Sequence, residues 1–174
     1  MQPTPFLNKM IKVTSFKDHL LHKRKVLDLI RDMPPVPTQD TSESLTKTDF
    51  YLPAEVRKEY WDYFYPHLQT SLVDMAHSFK SKYYIIHHVW FQQYEKKNFQ
   101  GWHNHSACQF SNVYFLELPD TEIATEFEDG SKVEVKEGDL LTFSSHLYHR
   151  SPINKSNKRK SVVVFNSSFE GFTP

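Results

Sequence analysis

The sequence predicts a mainly β fold in which helices cover one face of a small barrel or double-sheet jelly roll. Residues 16–80 show the apolar spacing of helices, whereas the chain after Lys82 consists of short segments rich in Tyr, Ile, Val, Trp and Phe. Helices followed by many short antiparallel strands favour this architecture. Because 174 residues suit one core, we expect a single domain over residues 1–174, with helical support in about 1–82 and the jelly-roll core in 83–174.

Two helices are predicted in the first half of the chain. In residues 16–33 apolar side chains recur near a helical period, and the proline-rich run at 34–37 must end that helix because proline lacks an amide donor. A second helix is expected from about Pro53, a residue type favoured in a first turn, to Lys80. Pro66 is expected to kink or split this helix.

Six strands are predicted after the helices. Their residues are mainly β-branched or aromatic, and turn-forming residues separate them. The dipeptide Asp129-Gly130 indicates a hairpin turn, since it tolerates the positive backbone angles that tight turns require. The predicted strands cover residues 83–94, 109–118, 122–127, 132–135, 140–143 and 161–165.

Composition narrows the choice of partners and of metal ligands. Lys and Arg together number 21, as do Asp and Glu, so no overall field would attract nucleic acid or an anionic membrane. Cys108 is the only cysteine, which excludes an intramolecular disulfide and leaves histidines and carboxylates as metal ligands. No segment has the roughly 18 apolar residues of a spanning helix, and the amino terminus lacks the apolar centre of a signal peptide. We therefore expect a cytoplasmic protein.

Two of the ten histidines have a spacing that suits metal binding. His103 and His105 lie two positions apart, and on a strand both imidazoles would point to one face, with backbones roughly 6.5–7 Å apart. On this spacing alone, two solvated histidines at a polar edge are an equal alternative. A third ligand must come from elsewhere, and His146 and His149 both follow the predicted strand at 140–143. Three histidines would suit zinc, copper, nickel or iron alike.

Three segments, taken in order, are similar to the patterns of one enzyme family. Residues 94–105 resemble Tyr-x-x-Gly-x-x-Tyr-x-x-His-x-Asp, although the glycine and the second tyrosine are replaced. Residues 111–116 read Ser-Asn-Val-Tyr-Phe-Leu and resemble Ser-Gly-Val-Tyr-Tyr-Leu, and residues 138–149 resemble Gly-Asp-x-x-x-Phe-x-Ser-x-x-x-His. Together they resemble the iron(II)- and 2-oxoglutarate-dependent dioxygenases, especially the prolyl 4-hydroxylase-like branch and its short bacterial and phage-type members.

The resemblance implies a double-stranded β-helix that holds Fe(II) through His103, His105 and His149, and it selects His149 over His146. It implies a hydroxylase that oxidises an unknown substrate, a protein side chain or a small molecule. Such an enzyme converts 2-oxoglutarate to succinate and CO2, with ascorbate as an optional reductant. The family usually has Asp where this chain has His105, so the iron complex would carry one more positive charge.

The resemblance also implies where the cosubstrate binds. Arg159 and Ser161 fit the Arg-x-Ser element that holds the distal carboxylate of 2-oxoglutarate, and Tyr94 would add a hydrogen bond. A one-residue insertion would instead align Lys160 with the family arginine, but a guanidinium group matches a carboxylate better. Two other functions stay open: a cupin-like three-histidine metalloenzyme that does not use 2-oxoglutarate, and a non-enzymatic jelly-roll binding module.

Overall fold

The computed structural model describes residues 11–34 and 41–170, and within these ranges the chain forms ten strands, two α-helices and one short 3-10 helix. In chain order the elements are β1 (Ile11–Ser15), α1 (His19–Asp32), β2 (Glu43–Ser44), β3 (Lys47–Thr48), α2 (Glu59–Ser78), β4 (Tyr83–Tyr94), β5 (Phe99–His103), β6 (Phe110–Glu117), the 3-10 helix (Thr121–Ile123), β7 (Glu126–Phe127), β8 (Asp139–Ser144), β9 (His149–Ser151) and β10 (Lys160–Glu170). No helix among these residues is long and apolar enough to cross a membrane.

The strands assemble into two antiparallel sheets. The larger sheet has the order β1-β8-β6-β10-β4-β3, and the smaller sheet has the order β2-β5-β9-β7. One apolar core contains side chains from both sheets, and a second core joins the larger sheet to the two helices. This arrangement confirms the predicted fold class, a jelly roll with supporting helices.

Strand β10 shows how the sequence specifies both faces of the larger sheet. Val162 and Val164 belong to the core between the sheets, whereas Val163 and Phe165 belong to the core beneath the helices. Because successive side chains of a strand point to opposite faces, a strand covered on both sides reads as an unbroken apolar run. The same alternation decides which neighbours of Val162 can reach a site between the sheets.

Helix α2 covers the larger sheet with a stripe of buried side chains. Tyr60, Phe64, Leu68 and Leu72 recur every four residues and are buried, which places them on one face of the helix. The helix continues through Pro66, so of the predicted kink or split the split does not occur. Pro66 lies on the exposed face, where water can satisfy the carbonyl group that loses its amide partner.

The predicted boundary near residue 82 separates the helices from only part of the sheets. Strands β1, β2 and β3 precede it and pair with β8, β5 and β4, respectively. Conversely, the predicted strands at 122–127 and 132–135 form only β7 and an isolated bridge between Glu126 and Lys132. Between them, Gly130 adopts a φ of +76°, as the predicted turn requires. Strands of two residues show no periodicity, so the sequence could not indicate them.

Candidate metal centre

Three histidines converge between the two sheets. His103 ends β5 and His149 begins β9, and the two residues are partners in the antiparallel pairing of these strands. His105 follows β5, where its backbone N–H donates to the carbonyl oxygen of Ser145. One ring nitrogen from each histidine lies within 4.8 Å of those of the other two. His146, the other candidate for the third ligand, is exposed in the turn before β9.

Each imidazole uses its Nδ1 atom in a hydrogen bond with a carbonyl oxygen. His103 and His149 each bond the backbone carbonyl two residues before them, at 2.8 and 2.9 Å. His105 Nδ1 lies 2.7 Å from the side-chain oxygen of Asn166. Because a carbonyl oxygen only accepts, Nδ1 carries the hydrogen in each ring, and Nε2 carries the lone pair that a metal needs.

The imidazoles offer neutral ligands to a metal. Burial lowers the pKa of His149 to about 3 and the pKa of His105 to about 4, with a smaller lowering of both by His103. A protonated imidazole cannot bind a metal, so at neutral pH these two rings are ready to coordinate. Within residues 11–34 and 41–170 the cluster contains no carboxylate. Three neutral nitrogen ligands suit zinc, copper, nickel and iron.

Asn166 is expected to raise the metal affinity by holding the ring of His105. Asn166→Leu removes the acceptor of the Nδ1 hydrogen, so we expect Fe(II) affinity in an anaerobic titration to fall about 10- to 100-fold. Asn166→Asp keeps an acceptor oxygen at this position and should retain tight binding. An unchanged affinity in Asn166→Leu would mean that Ser111, whose hydroxyl lies 2.8 Å from the same nitrogen, is sufficient to hold the ring.

A buried lysine lines the same cavity as the three histidines. Lys160 is 2% exposed, and its Nζ donates to Ile123 O at 2.6 Å and to Ser151 Oγ at 2.8 Å. Burial lowers the pKa of Lys160 to about 7. A buried ammonium group that is bonded only to neutral oxygens is costly, and an anionic ligand would relieve that cost. We name this space the inner cavity.

Arg159 and Ser161 do not line the inner cavity, which corrects the placement expected from the Arg-x-Ser pattern. The carboxylate of Glu117 accepts hydrogen bonds from Arg159 Nε at 2.8 Å and Nη2 at 3.2 Å, and another from the hydroxyl of Ser161. Because side chains alternate along β10, only the residue between them faces the cavity. Lys160, the alternative alignment, occupies that position.

Tyr94 also lines the inner cavity. Its hydroxyl donates to Gln92 Oε1 at 2.8 Å and lies 3.3 Å from Gln100 Oε1. Its ring centroid is 5.1 Å from Lys160 Nζ. Burial raises the pKa of Tyr94, so the hydroxyl group is a neutral donor at physiological pH. Tyr94, unlike Arg159, therefore lies where a small molecule bound beside the three histidines could contact it.

A second cavity, of about 310 Å3, shares His103 and His105 with the inner cavity. We name it the outer cavity. Asn166 lines the outer cavity and Gln92 lines both cavities, and sequence analysis identified neither residue. The alternation along β4 could have indicated Gln92, because Trp90, Gln92 and Tyr94 occupy every second position and all line the inner cavity. No local pattern indicates Asn166, since its hydrogen-bond partner, His105, is distant in sequence.

The fold has counterparts among solved structures. No family model and no curated protein match the chain. It is similar to the viral collagen prolyl hydroxylase of Paramecium bursaria Chlorella virus-1 in its 2-oxoglutarate complex, at 15% identity and TM-score 0.64, over 91% of this chain and 95% of that chain. It is also similar to HygX from Streptomyces hygroscopicus with nickel and 2-oxoglutarate bound, at 11% identity and TM-score 0.65, over 97% and 86% of the two chains. The chain has the double-stranded β-helix fold of 2-oxoglutarate-dependent oxygenases.

A third similar structure shows how widely this double-stranded β-helix is used. It is the non-haem α-ketoglutarate-dependent epimerase SnoN from nogalamycin biosynthesis, at 9% identity and TM-score 0.66, over 92% of this chain and 78% of that chain. A prolyl hydroxylase and an epimerase thus have similar backbones. The choice of substrate must therefore depend on the side chains that line the cavities.

Proposed function

We propose that the chain is an Fe(II)- and 2-oxoglutarate-dependent oxygenase that hydroxylates its substrate. The observation that carries the proposal is the presence, in one cavity, of a three-histidine cluster and the buried amine of Lys160. A metal and a nearby cation complement the two ends of a dicarboxylate such as 2-oxoglutarate. Two proteins of similar fold were solved with 2-oxoglutarate, one of them also with nickel, which supports the assignment.

The inner cavity must widen to take this ligand. Its volume of about 20 Å3 suits a group the size of one water molecule. Gln100 and Gln92 line both the inner and the outer cavity. Gln100 is only half-buried, and its contact with the Tyr94 hydroxyl is long, at 3.3 Å. We expect Gln100 to move, so that the two cavities join when the dicarboxylate binds.

The residues of the chain would bind and orient the reactants. The three histidines hold the metal through Nε2, Lys160 pairs with the distal carboxylate as a point charge, and the Tyr94 hydroxyl donates a hydrogen bond to the ligand. Apolar side chains of β6 and β10 line the same cavity and exclude water, which strengthens the pairing of Lys160 with the carboxylate. When bound, Fe(II) with 2-oxoglutarate and dioxygen supplies the oxidising chemistry, with succinate and CO2 as coproducts.

Binding of 2-oxoglutarate is expected to take up a proton above pH 7. Because burial lowers the pKa of Lys160 to about 7, the amine of the ligand-free chain is neutral at higher pH. A bound carboxylate favours the ammonium form and raises this pKa, so the proton comes from solvent and affinity falls as pH rises from about 7 to about 9. Calorimetry with Fe(II) under argon, in two buffers of different ionisation enthalpy, measures the uptake. The same uptake in Lys160→Met would contradict the assignment.

Formation of succinate tests the proposed activity directly. The chain with Fe(II), 2-oxoglutarate and dioxygen should produce succinate, which mass spectrometry detects. Production should stop without dioxygen and when Zn(II) replaces Fe(II), since zinc has no redox chemistry. If a chain shown to bind Fe(II) formed no succinate across a broad panel of amino acids, peptides and small amines, the cupin-like alternative would be favoured.

A further inference from the structure

The outer cavity has an aromatic wall that leads to a proposed metal ligand. The ring of Phe50 lies 5.1 Å from that of Tyr51 and 5.1 Å from that of Trp90, and the corresponding interplanar angles are 88° and 73°. Trp90 in turn lies 5.5 Å from the ring of His105. All four side chains line the outer cavity. Steeply inclined rings present both faces and edges to a shared space, which is how aromatic side chains surround a cation.

The side chain of Glu43 contributes a carboxylate to the outer cavity. This carboxylate accepts a hydrogen bond from the Tyr51 hydroxyl at 2.8 Å and from Gln100 Nε2 at 3.3 Å. No lysine or arginine of the described residues lines this cavity. His88 also lines it, and burial lowers the pKa of His88, so that its imidazole is neutral at pH 7. A negative carboxylate therefore lies beside electron-rich ring faces.

Trp90 adds a hydrogen-bond donor near this wall. The side chain is 4% exposed, and its indole Nε1 has no hydrogen-bond partner in the part of the chain that the structure describes. Leaving a buried donor unsatisfied is unfavourable, so an oxygen atom of a ligand would improve binding there. Trp90 lines both cavities, so this donor marks a point at which a hydroxyl or carbonyl group of a ligand would be stabilised.

We infer that the outer cavity binds the substrate through an organic ammonium group. The inference rests on the proposed function, because it makes this cavity the substrate site of the same enzyme. A cation gains attraction both from the ring faces and from the carboxylate of Glu43. A neutral aliphatic group would fill the same space without these gains, and an anion would meet repulsion from Glu43.

The probe pair is choline and 3,3-dimethyl-1-butanol, which have the same shape and hydroxyl group and differ in the charge of the central atom. Binding to the full chain is followed by tryptophan fluorescence and by ligand-detected NMR, first without metal and then with Fe(II) and 2-oxoglutarate under argon. We expect choline to bind about tenfold more tightly than the alcohol, the effect of roughly one desolvated cation–π contact.

Substitutions in the outer cavity, with matched controls elsewhere, test whether the preference for choline arises there. Glu43→Gln and Phe50→Leu should each reduce the preference for choline, and Phe50 is 40% exposed, so its replacement should not disturb folding. Matched substitutions at other cavities, Glu134→Gln and Tyr148→Leu, should leave the preference unchanged. Circular dichroism confirms that each variant is folded.

Three results would overturn the inference. They are equal binding of the two probes, tighter binding of the anion 3,3-dimethylbutanoate than of choline, and a preference that Glu43→Gln and Phe50→Leu leave intact. The measurement without metal does not depend on iron or 2-oxoglutarate. Failure of succinate formation would therefore count against the proposed activity alone, whereas loss of the choline preference in an active enzyme would count against the ammonium site alone.

Discussion

His149→Ala is expected to abolish Fe(II) binding and, with it, the formation of succinate from 2-oxoglutarate. The substitution removes one of the three proposed nitrogen ligands and leaves His103 and His105 at the site. Residues that merely support a metal ligand are worth about 10- to 100-fold in affinity, so loss of a ligand should exceed about a hundredfold. Anaerobic titration with Fe(II) measures the affinity, and succinate formation is followed in parallel.

His146→Ala is the matched control for His149→Ala. It removes a histidine three positions away that is exposed and lies 2.7 Å from the Ser144 hydroxyl through Nδ1. Both metal affinity and succinate formation should stay at the level of the unaltered chain. Loss of iron in His146→Ala with retention in His149→Ala would mean that the third ligand has been assigned to the wrong histidine.

Lys160→Met is expected to weaken the binding of 2-oxoglutarate about 100-fold and to leave Fe(II) binding nearly unchanged. Truncating one partner of a buried charge pair costs about 2–5 kcal/mol, and each 1.4 kcal/mol is about a tenfold change in affinity. Methionine fills a similar apolar volume without the charge. Titration of the Fe(II)-loaded chain with 2-oxoglutarate under argon measures the effect.

Arg159→Met separates the two alignments of the basic segment. Arg159 is bonded to Glu117 and does not line the inner cavity, so this variant should bind 2-oxoglutarate as the unaltered chain does. The opposite pattern, a large loss in Arg159→Met and none in Lys160→Met, would restore the Arg-x-Ser assignment. Thermal unfolding of Lys160→Met gives an independent check. This substitution removes a buried amine that is bonded only to neutral oxygens, so it should not destabilise the ligand-free chain.

The long and strongly patterned elements could be predicted from the sequence. Strand β4 covers residues Tyr83–Tyr94, as predicted, because a run of twelve β-branched, aromatic and polar residues offers a clear strand signal. Strands β2 and β3 have two residues each and β9 has three. Such segments become strands because neighbouring strands provide partners for their backbone groups. No local sequence pattern indicates that pairing.

The histidine cluster could be predicted from the sequence only in part. The spacing of His103 and His105 indicated the pair, although β5 ends at His103. His105 lies beyond the strand, and its position depends on the backbone of Ser145 and on Asn166. His149 came from the order and spacing of segments that resemble a known family, and the pairing of β5 with β9 brings it to His103. The bond between His105 and Asn166 joins residues 61 positions apart, so only the fold could reveal it.

The sequence by itself determined the fold class, which follows from periodicity, and the pair His103 and His105, which follows from spacing along the chain. The resemblance to a known family added His149 to that pair. Only the tertiary structure decided which basic residue faces that cluster. Arg159 and Lys160 are neighbours, and a shift of one residue along a strand moves a side chain to the opposite face of the sheet. The burial of Lys160 and the contact of Arg159 with Glu117 show on which side each one lies.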